Sequence, residues 1–296
     1  MSMLNELVLY CESLLDMSSC LKTQKISPTD CANCLKEIHF GNDNGREYDC
    51  LNMCCQYVCQ NMHRYVTEMV YLFHDTYNQW IKNRQEQLVM CSIGCGPCSE
   101  LVAWEEYARR QHLDIPYSYD GFDTNSMWSK IQNEVKSLVS HYGNVSFHNE
   151  DIFEYYSKRE EKPNVIILNY LLSDIFRDDV LEGKAFIRSF LKFLSQLSTY
   201  AILINDINLG LSESHARYYF DRLASYLCRS SNNNVECMRW HFRDTKKNYF
   251  EYGEERHDSR ILFDLPSKII NNNMPNTECH SAQLLIIRNN HDSECK

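Results

Sequence analysis

The 296-residue chain carries 30 Lys and Arg against 40 Asp and Glu, a formal charge of −10, so a strongly basic surface for nucleic acid is not its bulk character. With 44% hydrophobic and 24% charged residues it can bury a sizeable core without disulfides, and only 9 Gly and 6 Pro exclude collagen-like, linker-rich and disordered classes. No run of 18 apolar residues occurs, and Met1–Glu6 lacks a basic stretch ahead of an apolar core, so neither a membrane partner nor secretion is expected and the expected location is cytoplasmic.

Residues 1–20 read as a short amphipathic helix, with Leu4, Leu7, Leu14 and Leu15 near helical spacing, followed by the loop Lys25–Asp30. Of 15 cysteines most lie in the first 98 residues, and in a reducing compartment a CxxC is a metal or redox element rather than half of a disulfide framework. Cys31-Ala-Asn-Cys34 followed by His39 and Cys50 has the economy of a structural zinc site, because a CxxC turn places two thiolates on one metal and later residues complete the tetrahedron. Cys54, one helical turn after Cys50, is the alternative ligand; an unmetallated pair and an iron–sulfur cluster stay open as readings. Cys55 and Cys59 read as packed helix residues. From Tyr48 to Arg84 no Gly or Pro interrupts an apolar periodicity that includes Met53, Tyr57, Met62, Tyr65, Met69 and Phe73, which predicts one long buried helix or two in succession. Residues 1–85 are therefore expected to form an α-helical, cysteine-rich accessory domain.

After residue 87 short apolar runs alternate with helical stretches, the pattern of a parallel sheet with crossover helices. The predicted strands are Leu88–Ile93, Tyr117–Phe122, Val145–His148, Val165–Leu168, Ala201–Ile204, Val235–Phe242 and Gln283–Ile287, with helices over Cys98–Gln111, Ser126–His141, Asp179–Gln196 and Ser212–Ser230. The fold class is α/β, a Rossmann-like, seven-stranded, mostly parallel sheet over residues 86–296.

The first strand runs into Gly94-Cys95-Gly96-Pro97-Cys98-Ser99-Glu100 and then into an apolar helix. Strand, glycine turn and helix N-terminus form a cradle for a nucleotide, although such a turn without a ligand is also common. The second strand ends in Asp123, where a carboxylate can accept both hydroxyls of a ribose; capping of the following helix is the competing reading. Asp151 and Ile152 follow the third strand, suited to an adenine amino group and its face, or again to a cap. The fourth strand delivers Asn169 and Tyr170 to the same edge. Cys91, Cys95 and Cys98 crowd the turn and read as packing or backbone-approach positions.

The order of these elements resembles a class I S-adenosylmethionine-dependent methyltransferase over roughly residues 86–296. The resemblance implies that Gly94 and Gly96 border the methionine part of S-adenosylmethionine, that Asp123 holds its ribose, that Asp151 and Ile152 meet adenine, and that Asn169 and Tyr170 lie near the transferable methyl. Ser92 and Cys98 stand where family members often carry an acid and a third glycine, and the Asn-Pro-Pro-Tyr motif of base methylation is absent. The nearest enzymatic competitor, a dinucleotide oxidoreductase, lacks its full GxGxxG because Ser99 takes the third glycine position. The expected function is methyl transfer to an unidentified acceptor, RNA or protein before small molecule; the alternative is a catalytically inactive methyltransferase-like subunit that binds a partner. Arg239–Phe250 mixes cations with aromatics in a manner suited to stacking and phosphate contacts, but an ordinary strand edge followed by a solvated loop gives the same pattern, and Glu254-Glu255 cancels much of its charge. Tyr170 and Asp174 are expected near the acceptor, and no residue is assigned a catalytic role.

Overall fold

The computed structural model describes residues 2–15, 34–35, 48–84, 87–178, 180–208, 216–230, 234–243 and 251–289. Helix α1 (Met3–Leu14) starts at Ser2, whose hydroxyl accepts the Asn5 N–H at 3.2 Å, and buries Leu4, Leu7, Val8 and Cys11, the i, i+3, i+4, i+7 stripe of an amphipathic helix. Helix α2 (Leu51–Gln79) is one continuous helix of 29 residues, and most of its side chains are buried. A 3₁₀ turn (Ile81–Asn83) then leads toward β1 (Leu88–Ile93).

The remaining elements alternate as the apolar runs require: α3 (Ser99–Gln111), β2 (Tyr117–Phe122), α4 (Ser129–Leu138), β3 (Gly143–His148), α5 (Ile152–Ser157), β4 (Val165–Asn169), α6 (Leu172–Asp178), α7 (Val180–Leu194), β5 (Tyr200–Ile207), α8 (Ala216–Ser230), β6 (Val235–His241), β7 (Glu254–Glu255), α9 (Ser267–Asn273) and β8 (Ser281–Arg288). The sheet has eight strands in the order β3-β2-β1-β4-β5-β8-β6-β7. Strands β3, β2, β1, β4 and β5 pair in parallel, and β8 inserts antiparallel between β5 and β6. This is a doubly wound, Rossmann-like sheet whose chain reverses direction across the sheet between β1 and β4.

The strands are apolar on both faces, and alternate residues serve different cores. Val165, Ile167, Ala201, Leu203, Leu285 and Ile287 face a core shared with α1, α2, α3 and α4. Ile166, Leu168, Ile202, Ile204, Leu284 and Ile286 face the other side, with aromatic residues of α5, α7 and α8. The helices α1 and α2, expected within a separate unit ending at residue 85, thus cover one face of the sheet and share its core. The sequence pattern shows that a helix has an apolar stripe but not what the stripe covers.

Other differences are local. The eighth strand, β7, is a two-residue pairing at the edge, below the length at which alternation gives a signal. The predicted helix Ser126–His141 is a 3₁₀ turn at Ser126–Trp128 followed by α4. Helices α5, α6 and α9 span two turns or fewer, too short for periodicity to mark. No helix among the described residues is long and apolar enough to cross a membrane.

Candidate functional site

Register sets the site. Ile93 pairs with both Phe122 and Leu168, and Phe122 pairs with His148, so the C-terminal ends of β1, β2, β3 and β4 stand level. The residues that leave these strands therefore meet at the reversal point, where open α/β sheets bind ligands. An open cleft of about 380 Å³ lies there. Gly94, Gly96, Asp123, Asp151, Ile152, Asn169 and Tyr170, predicted separately along the chain, all line it.

The turn after β1 is held in a left-handed conformation at three alternate residues, Gly94 (φ +65°), Gly96 (φ +47°) and Cys98 (φ +60°). Its N–H groups are largely engaged within the fold: Cys95 donates to the Phe122 carbonyl at 3.0 Å, Gly96 to Asp123 and Cys98 to Cys95. At Gly94 the positive φ is what requires glycine; the atom nearest a Cβ there would be Leu171 Cδ1 at 2.5 Å, the tip of a flexible side chain. Cys98, the position of the missing third glycine, adopts the left-handed conformation with a side chain; its N–H donates to the Cys95 carbonyl at 2.7 Å. Cys95 and Cys98 are both buried, and burial pushes both thiols up, so they remain protonated packing groups, as the sequence reading has them. Gln132 from α4 locks the turn by donating to the Gly96 carbonyl at 3.1 Å. Beneath it lies Glu100, fully buried in the first turn of α3, which accepts the Tyr119 hydroxyl at 2.6 Å; burial pushes its carboxyl up against that bond.

Asp123 ties the turn to β2. One carboxylate oxygen accepts the Gly96 N–H at 2.8 Å and the other accepts the Asn125 N–H at 2.8 Å. Burial raises its pKa and these two backbone bonds lower it, with burial the larger effect. Each oxygen keeps a second lone pair for a ligand hydroxyl. Asp151 is the N-cap of α5, its side chain accepting the Glu154 N–H at 2.8 Å, while Ile152 beside it is buried at the cleft wall. The capping reading of Asp151 is therefore realised together with its place at the cleft.

Asn169 is fixed at both ends of its amide. Its Nδ2 donates to Ser99 Oγ at 2.8 Å and its Oδ1 accepts Asn205 Nδ2 at 2.8 Å. Tyr170 also has a left-handed φ of +54°, a conformation that costs a non-glycine residue of order 1 kcal/mol and persists only when its surroundings enforce it. Here the Tyr170 N–H donates to the Asn205 carbonyl at 2.8 Å, its hydroxyl donates to Glu68 Oε2 at 2.9 Å, and its ring packs on Tyr65 with centroids 4.0 Å apart. Glu68 of α2 is buried at the centre of this network. It also accepts Asn205 Nδ2 at 3.0 Å and the His280 N–H at 3.1 Å, while Gln283 donates to its carbonyl at 2.7 Å.

Sequence reasoning missed this network and the aromatic wall that α2 supplies. Tyr48, Tyr57, Tyr65 and Trp128 all line the cleft. The tyrosines of α2 read only as part of an apolar stripe; their eight-residue spacing, which puts them on one face, is the available signal.

Two of the expected zinc ligands, Cys31 and His39, lie outside the described residues. Cys34 is buried and Cys50 half-buried, and among the described residues no group of three or more His, Cys, Asp or Glu is placed to hold a metal. Of the basic-aromatic segment, Arg239 pairs with Asp221 at 3.1 Å and Trp240 lies in β6; residues 244–250 are outside the described set.

No protein-family model and no curated protein sequence matches the chain. Several solved structures are similar in fold. The plantazolicin methyltransferase BpumL, solved with a monoazolic desmethylPZN analogue and SAH, matches at 12% identity and a TM-score of 0.44, with 97% of this chain and 98% of that chain covered. A protein from Listeria monocytogenes described as a class I S-adenosylmethionine-dependent methyltransferase matches at 9% identity and a TM-score of 0.46, covering 99% of this chain and 88% of the other. A human methyltransferase 10 domain containing protein matches at 10% identity and a TM-score of 0.42, covering 76% of this chain and 82% of its own.

Proposed function

We propose that the protein is an S-adenosylmethionine-dependent methyltransferase. The observation that carries this reading is the convergence of the left-handed turn at 94–98, Asp123, the Asp151–Ile152 pair and Asn169–Tyr170 on one cleft at the sheet's reversal point. The donor set fits the cofactor part by part. The N-terminus of α3, where Ser99 lines the cleft, suits the carboxylate of its amino-acid end, and the free lone pairs of Asp123 suit two ribose hydroxyls. Asp151 suits an exocyclic amino group, and Ile152 supplies an apolar surface for the base.

When bound, the cofactor supplies an electrophilic methyl group on a cationic sulfur. The chain's own residues orient and desolvate. Asn169, clamped between Ser99 and Asn205, holds the β4 end rigid, and Tyr170 is locked by Glu68 so that its ring closes one side of the cleft. Such positioning accounts for most of what a protein contributes to an in-line displacement at an activated carbon. Titration calorimetry with S-adenosylmethionine tests the proposal: one-to-one saturable binding is expected, and absence of binding by the folded protein would overturn it.

A further inference from the structure

We infer that the acceptor in this cleft is an amine nitrogen, an inference that rests on the methyltransferase reading and deepens it. With Asp123, Asp151 and Ile152 assigned to the nucleoside, one further side of the cleft is a wall of rings. Tyr48 and Tyr57 have centroids 5.3 Å apart, Tyr48 and Trp128 5.1 Å, and Tyr57 and Trp128 5.6 Å, so the three form a closed triangle. Tyr65 continues the wall 5.8 Å from Tyr57 and reaches Tyr170 at 4.0 Å. The wall therefore runs from the 3₁₀ turn at Ser126–Trp128, across α2, to the end of β4, where the transferable methyl is assigned.

The rings are neutral. Burial, the largest effect, holds the Tyr57, Tyr65 and Tyr170 phenols above their ordinary range, so the rings lining the cleft are uncharged phenols rather than phenolates. Asp174 of α6 also lines the cleft, close enough that its charge adds to the rise at Tyr57. Glu150 lines the cleft as well, and neutral rings together with carboxylates are surroundings that favour a cationic nitrogen. Among the described lining residues none is Lys, Arg or His. Arg64, outside the lining, places its guanidinium over the same rings, 4.6 Å from the Tyr65 centroid and 5.6 Å from that of Tyr170, where the Glu68 carboxylate opposes its charge.

The chemistry of transfer matches these surroundings. The bound ammonium first gives a proton to water, and the amine lone pair thus freed forms the new N–C bond as the C–S bond breaks with its electron pair remaining on sulfur. Positive charge thus leaves the sulfur and appears on nitrogen, and a proton on that nitrogen then passes to water. Neutral rings and carboxylates around the nitrogen stabilise the charge where it develops, which is the form of stabilisation that accelerates a step. An anionic oxygen acceptor would meet the same rings and carboxylates with the opposite sign.

The test uses the full-length protein, with and without S-adenosylhomocysteine, and two probes of equal length and ring but opposite head charge, 2-phenylethylamine and 3-phenylpropanoate. Binding of each is measured by calorimetry. The amine is expected to bind at least tenfold more tightly than the carboxylate, and Asp174→Asn and Tyr57→Leu are each expected to weaken the amine roughly three- to tenfold. Melting temperatures verify that both variants are folded; Asp174→Asn is isosteric and keeps the test decisive if Tyr57→Leu does not fold. Nα-acetyl-lysine N-methylamide, titrated in parallel, separates the two sources of an amine: tighter binding than 2-phenylethylamine assigns a lysine side chain, weaker binding a small molecule. Equal or tighter binding of the carboxylate, binding of neither charge, or no effect of Asp174→Asn would overturn the inference. Failure of S-adenosylhomocysteine to bind while the amine preference persists would instead overturn the cofactor reading, and with it the acceptor role, leaving an amine-binding cleft.

Discussion

Asp206, at the end of β5, is fully buried and caps α6 by accepting the Ser173 N–H at 3.0 Å. Burial lifts its pKa from 3.8 to about 6, against opposing hydrogen bonds from Ser173, Ile207 and Leu172. The folded state therefore binds this proton more tightly than the unfolded chain, and the linkage sign follows. The stabilising effect of the proton is complete below pH 3.8 and is lost as pH rises through about 6. Relative to Asp206→Asn, the native protein should lose about 1–3 kcal/mol of stability between pH 4 and pH 7, read from urea melts at each pH. A difference between the two proteins that does not change over that interval would contradict this placement. The contrast with Asp123 explains what was legible. Asp123 follows a clear strand and precedes a turn, so its position alone marked it, whereas the apolar pattern of β5 ends at Ile204 and left Asp206 unread. Glu68 was equally hidden, because a carboxylate inside a helix is ordinarily solvent-facing and only the packing of α2 on the sheet buries it.

At the scale of elements, α2 joins the two halves of the chain. It packs on α1 and α3, contributes Phe73 against Trp104 at 5.4 Å, and delivers Glu68 to partners on β5, β8 and Tyr170. Removing it exposes one face of the sheet and strips a buried polar network of its central acceptor, and either loss alone amounts to several kcal/mol. A fragment beginning at residue 86 is therefore expected to show no cooperative thermal transition, while the whole chain melts in one. A fragment that melts cooperatively near the temperature of the intact protein would contradict the shared core. The existence and type of the long elements were legible because their apolar periods are strong. Strand order was not: β8 pairs between β5 and β6 from the far end of the chain, and no local pattern encodes a partner that distant.

For the molecule as a whole, the arrangement of the sheet turns separate strand endings into one site. Each ending, taken alone, had a reading without ligand, and Asp151 does serve as a cap. Level registration of four parallel strands is what brings all seven residues to a single cleft, and that follows from the parallel order the alternating pattern indicated. The aromatic half of the cleft comes from α2 and the segment before it, so it became visible only with the packing of that helix. The most direct measurement is calorimetric titration of the purified protein and of Asp123→Ala with S-adenosylmethionine. The expected outcome is micromolar one-to-one binding to the native protein, weakened at least tenfold in the variant, because the substitution removes the ribose acceptor and frees the Gly96 N–H that holds the turn. No binding by the folded native protein, or undiminished affinity in a folded Asp123→Ala variant, would contradict the assignment of this cleft.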